Sequence, residues 1–440
     1  MTHTIQLRPH SSLSAELHDD CHDNARRGGL PRTIRQLGSV EHLFWLLDQH
    51  RPTHFAVTAH VSGRTGVAAW QNALDQLQRR HSLMSVAIVG EPGRVPHFQQ
   101  RRGARIPLRV IHDDRTARWE EEVAAELANP FGAADAPLIR AVLIHADEDA
   151  ALILVAHHAI ADGMSLAYAI RDILSVLSGD TLAALPSTPS ADDLLLAASS
   201  STARAITNEK PQSQASGVPE RWRTLDGAKP SVHSLQLPRA LTARLRDRAR
   251  VESTTVHCAL AAALVIAGRK LAPNWRDIPV RVMSPVNVRR MLGAGEHCGD
   301  YVSSASSVFT TEGDDFWCVA RKVKADIELA RTPEGVESVF SAIQAFLGDA
   351  PDVKAAADFA AVAFANEALL TNLGSLPFGD TYGHLKLNSL WGPCVLLDFE
   401  NVQTIGVATV NGSICLAHTS YAPIVGLLEE MQALLAVSTS

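Results

Sequence analysis

Apolar residues recur at helical spacing from the first ordered stretch: Leu37, Val40, Phe44 and Leu47 share one face, with Glu41 and His42 between them. Phe55 to Val61 alternates as a strand, and Val67 to His81 returns to helix, with Trp70, Ala73, Leu74 and Leu77 on its apolar side. Met84 to Val89 reads as a strand, and Trp119 to Leu127 as a helix stopped by Asn129-Pro130. Leu138 to Ala146 and Ala151 to Ala156 read as two strands joined at the acidic turn Asp147-Glu148-Asp149, followed by a helix from Met164 to Leu177. Further on come helices at Leu241–Val251 and Thr255–Leu271 and a strand at Val280–Met283. Strand-like runs at Val395–Phe399, Ile405–Val410 and Ser413–His418 precede a closing helix at Ile424–Leu435. Strands and helices intermix throughout, and no fixed-period repeat is visible.

This pattern predicts an α/β protein of two lobes. Residues 1–35 form a polar extension, 36–178 a first lobe, 179–232 a Ser-, Ala-, Pro- and Gln-rich connection, and 233–440 a second lobe. A chain of 440 residues, 46% hydrophobic and 20% charged, can bury enough apolar surface to fold. Its net charge of −7 gives no attraction for a phosphate backbone, so nucleic acid is not an expected partner. The apolar run Val256–Ala267 is too short for a membrane span and is read as a buried core helix; no membrane partner is expected. Six scattered cysteines without C-x-x-C spacing read as reduced thiols, and the polar N-terminus has no secretory signal pattern, so the expected location is cytoplasmic. His18, Cys21 and His22 would need further ligands on a fixed scaffold to hold a metal, and no metal site is expected.

The sharpest chemical feature is Ala151-Leu-Ile-Leu-Val-Ala-His157-His158-Ala-Ile-Ala-Asp162-Gly163, an apolar strand ending in two histidines and a turn. An imidazole titrates near neutrality and can take a proton from an attacking nucleophile. Adjacent strand residues face opposite ways, so His157 and His158 line one site only if the strand ends there. Gly163 lets the backbone approach a ligand, and the following helix aims free N–H groups at the same spot, where an oxyanion would be stabilised. The same residues would also serve as hydrogen-bonded core histidines and, in Asp162, a helix N-cap.

The arrangement His157-His158-x-x-x-Asp162-Gly163 resembles the active-site motif of the condensation-domain superfamily, the chloramphenicol-acetyltransferase-like acyltransferases. The likeness extends from about Leu37 to Ala436. Arg80-His81-Ser82-Leu83 is similar to an early segment of that superfamily, and Pro130-Phe131-Gly132 with Asp135-Ala-Pro137-Leu138-Ile-Arg140 to the segment before its catalytic strand. Thr255-Val256-His257 and Val282-Met-Ser284-Pro285-Val286-Asn287-Val288-Arg289 resemble the region that supplies an arginine to the motif aspartate. Arg289 is the assigned partner of Asp162, with Arg290 its rival. Thr371-Asn372-Leu373-Gly374 with Pro377 resembles the Asn-centred crossover segment of standalone acyltransferases. Asp398-Phe399 begins like the plant signature Asp-Phe-Gly-Trp-Gly but continues Glu400-Asn401-Val402.

The resemblance implies two chloramphenicol-acetyltransferase-like lobes, each a mixed β-sheet flanked by helices, with a tunnel between them. It implies His158 as general base, Gly163 near the oxyanion, Asp162 held by Arg289, and His157 shaping the loop. Ser284, Asn287, Asn372 and Gly374 are expected in the tunnel. The expected donor is an acyl-CoA or an acyl or peptidyl carrier protein, whose phosphopantetheine thioester enters as substrate, and no cofactor is required. The acceptor is a small alcohol, giving an ester in secondary metabolism, and the expected state is a monomer. Amide formation by a freestanding nonribosomal peptide condensation enzyme is the alternative, and a non-catalytic carrier-recruiting module the second. No Gly-x-Ser-x-Gly elbow, Walker loop or dinucleotide fingerprint is present.

Overall fold

The computed structural model describes residues 32–90, 94–112, 118–201, 220–310 and 315–440. The His18, Cys21, His22 cluster, most of the polar extension and part of the connection lie outside the described residues.

The first half runs β1 (Thr33–Gln36), α1 (Ser39–Asp48), β2 (His54–Ser62), α2 (Val67–Arg80), β3 (Val86–Val89), β4 (His97–Gln100), β5 (Leu108–His112) and α3 (Trp119–Leu127). It continues through β6 (Ile139–His145), β7 (Asp149–His157), α4 (Gly163–Leu177) and α5 (Ala191–Ser201). The second half runs β8 (Ser231–Gln236), α6 (Arg239–Val251), α7 (Val256–Leu271), β9 (Val280–Asn287), α8 (Arg289–Leu292), β10 (Val302–Phe309), α9 (Phe316–Ala330), α10 (Pro333–Gly348) and α11 (Val353–Ala363). It closes with β11 (Ala368–Ser375), β12 (Thr381–Tyr382), β13 (Leu385–Val395), β14 (Gln403–Val410), β15 (Ser413–Ser420) and α12 (Leu427–Ser438).

Two six-stranded mixed sheets organise the two lobes, one in the order β12-β13-β2-β7-β6-β5 and the other β10-β9-β11-β14-β15-β8. A small sheet β1-β4-β3 lies apart. This is the expected two-lobed α/β architecture with a different division of the chain. β12 and β13 leave the second half and complete the first sheet, β13 pairing antiparallel with β2. The expected boundaries 36–178 and 233–440 therefore miss a strand exchange, and the connection 179–232 contains α5 and the first two residues of β8.

β7 lies between β2 and β6. Leu152 to His157 are all buried, as a continuous apolar run predicts for a strand covered on both faces. Each sheet anchors its own hydrophobic core, the first gathering Phe55, Trp70, Leu154 and Ile170. In the second core α7 is buried from Cys258 to Val265; its alanines let it lie close against its neighbours, as read from the sequence. No single described helix is long and apolar enough to cross a membrane. The cysteines among the described residues are unpaired.

Candidate active site

The site is built where β7 stops. His157 N donates to Leu138 O at 3.0 Å and His158 N donates to Thr53 O at 3.0 Å, after which His158–Ile160 form a single 3-10 turn. That turn separates the two rings. His157 is buried: its Nδ1 accepts the Ala159 N–H at 3.0 Å, and its Nε2 lies 3.4 Å from Asp48 Oδ2. Its ring thus bonds to the backbone of the turn. The His158 ring stacks on Phe44 at 4.2 Å and leans on Phe55 at 4.8 Å, and it lines a deep cavity between the lobes.

Asp162 caps α4 and at the same time meets Arg289, so the helix-cap and ion-pair readings are both realised. Its Oδ1 accepts Ser165 N–H at 2.7 Å and Arg289 Nη2 at 2.7 Å, and its Oδ2 accepts Tyr301 N–H at 3.1 Å. Arg289 also donates to His297 O and Ser165 Oγ, each at 2.6 Å, and its guanidinium sits 4.7 Å from the Tyr301 ring centroid. Burial pulls against the charge on Arg289, but Asp162 more than restores it, and the guanidinium stays above its ordinary pKa. Arg290 is exposed, so Arg289 is the partner. Asp162 is directed away from the cavity and holds backbone, not substrate.

Gly163 opens α4 against the crossover strand. A Cβ there would lie 2.6 Å from Pro393 Cγ and 2.9 Å from Leu373 Cδ2. We expect Gly163→Ala to cost about 1–3 kcal/mol of stability by overpacking, measured as a lower urea midpoint. It should also lower activity, because the first-turn N–H groups would move away from the cavity.

The expected tunnel residues are not on the wall beside His158. On β9 it is Met283 and Pro285 that line this cavity, and on β11 Leu369 and Thr371. Successive strand side chains alternate faces, so Ser284 and Asn372 turn the other way. Ser284 Oγ is bound to His257 Nε2 at 2.9 Å, and Asn287 Oδ1 accepts the Arg289 N–H at 3.0 Å. Asn372 Oδ1 accepts the Gly374 N–H at 2.7 Å, and both residues line a separate cleft with Thr242, Arg246 and Asn411. The strand predicted at Val395–Phe399 ends at Val395. Asp398 adopts a left-handed φ of 52°, forms an ion pair with Arg51 and accepts from Arg223 at the cavity's edge.

Two residues escaped the sequence reading. Asp300 Oδ2 lies 2.9 Å from His158 Nδ1, and Asp300 Oδ1 is buried without a partner among the described residues. Burial raises this carboxyl against the pull of His158, with Asp162 and Glu41 adding to the rise, and it is pushed up to about 6. Ser303, three residues on, has a buried Oγ, also unpartnered among the described residues, on the same cavity wall. The remaining wall is largely apolar, with Val40, Leu43 and Leu47 from α1 facing Val339 and Ile343 from α10. An imidazole with one nitrogen fixed and the other free, beside a helix N-terminus and inside an apolar cavity, can accept a proton and shelter an oxyanion from water.

The chain is similar to known proteins in sequence and in fold. Residues 226–393 match the family model "Phthiocerol/phthiodiolone dimycocerosyl transferase C-terminus". The chain is 28% identical over 264 residues to phosphinothricin tripeptide synthetase PhsC of Streptomyces viridochromogenes, and 30% over 168 residues to malpibaldin synthetase of Mortierella alpina. These alignments take in 57% and 34% of this chain but only 23% and 3% of those much longer proteins. Among solved structures, polyketide synthase associated protein 5 from Mycobacterium tuberculosis superimposes with a TM-score of 0.64 at 18% identity, covering 93% of this chain and 99% of that one. The first condensation domain of the CDA synthetase gives 0.69 at 15%, covering 92% and 96%. Trichothecene 15-O-acetyltransferase from Fusarium sporotrichioides gives 0.64 at 12%, covering 92% and 95%. These likenesses show that the chain has the two-lobed fold of condensation domains and of these acyltransferases, and residues 226–393 resemble the transferase family model.

Proposed function

We propose that this protein transfers an acyl group from a thioester to a hydroxyl acceptor, with His158 as general base and without an acyl-enzyme. The observation that carries the reading is the His158 imidazole: with Nδ1 engaged by Asp300, its Nε2 is left for the cavity into which the N-terminus of α4 also opens. Nε2 removes the hydroxyl proton as the oxygen attacks the thioester carbonyl carbon. The oxyanion is received by the first-turn N–H groups at Gly163 and by Ser303 Oγ. Collapse breaks the carbon–sulfur bond, the leaving thiolate takes the proton back from Nε2, and ester and free thiol depart. The thioester arrives activated, so the reaction needs no cofactor; CoA or a carrier-borne phosphopantetheine is part of the substrate.

Ester formation is supported by the segments Ser284 to Arg289 and Thr371 to Gly374, which resemble those of ester-forming members, and by the family model over residues 226–393. The likeness to peptide synthetases keeps amide formation as the second reading. The apolar wall from α1 and α10 suits an apolar acyl or acceptor group rather than a charged one.

Thiol release from acyl-CoA and acyl carrier protein donors, each paired with alcohols and amines, tests the reading. We expect release that depends on an alcohol acceptor and is lost in His158→Ala. Release with amines alone replaces ester by amide formation. Release that His158→Ala leaves untouched removes the mechanism. Carrier-protein binding with no turnover for any pair favours a recruiting module.

A further inference from the structure

Building on the acyl-transfer reading, we infer that Asp300 is a positioning residue. It holds His158 in the tautomer whose proton is on Nδ1 and whose lone pair is on Nε2, so that each lobe contributes one member of the base–carboxylate pair. An ionised carboxylate only accepts hydrogen bonds, so at 2.9 Å it requires the hydrogen on Nδ1. The opposite tautomer would leave Nδ1 and Asp300 Oδ2 as two facing acceptors and put the ring's only proton where the substrate's must go.

The backbone around Asp300 is arranged to deliver it. Asp300 follows α8 in the segment leading to β10, and the first lobe grips the residues on either side of it. Gly299 O accepts from Asp162 N at 3.2 Å and from Ser165 Oγ at 2.8 Å, while Tyr301 N donates to Asp162 Oδ2 at 3.1 Å. Four residues earlier in this segment, Glu296 is held by Arg171 at 2.8 Å and by Arg80 at 3.0 Å. The motif aspartate therefore acts at a distance. Asp162 fixes residues 299 and 301, these fix Asp300, and Asp300 fixes the ring of His158. This links Asp162 to catalysis although its carboxylate faces away from the cavity.

The charged groups facing Asp300 are His158 from the end of β7, Asp162 at the cap of α4 and Glu41 of α1, itself paired with Arg35 at 2.6 Å. Because burial pushes Asp300 up to about 6, its ionisation at neutral pH is a cost to stability. That cost is absent at low pH, where the group is protonated both folded and unfolded, and it grows as pH rises to about 6.

The test compares wild type, Asp300→Asn, Asp300→Ala and His158→Ala. In histidine-labelled protein at pH 7.5, the ¹⁵N signals of His158, assigned by their loss in His158→Ala, should report the proton on Nδ1 in wild type and a shift towards Nε2 in Asp300→Ala. Turnover should fall about 100-fold in Asp300→Ala, with donor KM changed far less. The melting temperature at pH 7.5 should be equal or higher in Asp300→Asn, which a purely structural role would not give. A wild-type His158 protonated on Nε2, or Asp300→Ala and Asp300→Asn with the wild-type rate, overturns the inference. If His158→Ala is inactive while both Asp300 variants are normal, only the role of Asp300 fails. If His158→Ala is normal, the acyl-transfer mechanism fails, and the nitrogen spectra still decide the tautomer.

Discussion

Replacing His158 by alanine should lower turnover by about 100-fold or more, the ordinary scale for removing a general base, while the fold persists. The ring contributes little to either hydrophobic core. It stacks on Phe44 and leans on Phe55 at the cavity wall, and its backbone bond to Thr53 O survives the substitution. Single-turnover rates with a saturating thioester donor are the right measurement, because they separate the chemical step from product release. A loss confined to KM would mean that His158 binds substrate without moving a proton. His157→Ala should behave differently, lowering stability first, because that ring accepts the Ala159 N–H and meets Asp48 in a buried setting.

Asp162→Ala should destabilise the protein by about 3–5 kcal/mol, the usual result of stripping one partner from a buried ion pair. Arg289 would keep its bonds to His297 O and Ser165 Oγ, but the only carboxylate it meets among the described residues would be gone, and α4 would lose its cap. The informative comparison is the double variant Asp162→Ala/Arg289→Met. Removing both charges should recover much of the urea midpoint, since the desolvation penalty disappears with the arginine. Activity should not recover, because Tyr301 N has lost its Asp162 Oδ2 acceptor and the segment carrying Asp300 is held less firmly. Recovery of both would assign Asp162 a purely structural role, and recovery of neither would mean that the backbone contacts outweigh the ion pair.

What the sequence disclosed about this site was local in the chain. The strand, the two histidines, the capping aspartate and the helix after them follow one another between Ala151 and Leu177, and each obeys a short-range rule. Arg289 was reachable only through resemblance, since 127 residues separate it from Asp162. Asp300 sits 142 residues from His158 in an unremarkable Gly-Asp-Tyr-Val, and no periodicity or turn chemistry marks it. Ser284 and Asn372 each stand one position from residues that line the cavity, Met283 and Pro285 on β9 and Thr371 on β11, and this facing alternation was not legible without strand register. At Asp398, an apolar-looking run hid a residue whose left-handed backbone and two arginine partners end the strand. The helix α5 was obscured by the low-complexity composition around it.

The strand exchange has a consequence for biosynthesis. β2 lies in the chain's first 62 residues, yet its neighbour β13 is not synthesised until residue 395, and the Ser62 and Asn388 side chains that meet across this pair are 326 residues apart. While the ribosome translates the interval, the emerging first lobe carries an open, apolar sheet edge, the kind of surface that recruits chaperones or pairs with a neighbouring nascent chain. Closing such a long loop makes completion of this sheet a late, slow event. A fragment cut anywhere in the connection after α4 would be left with that edge permanently uncovered, so the two lobes are made as one unit despite looking like two.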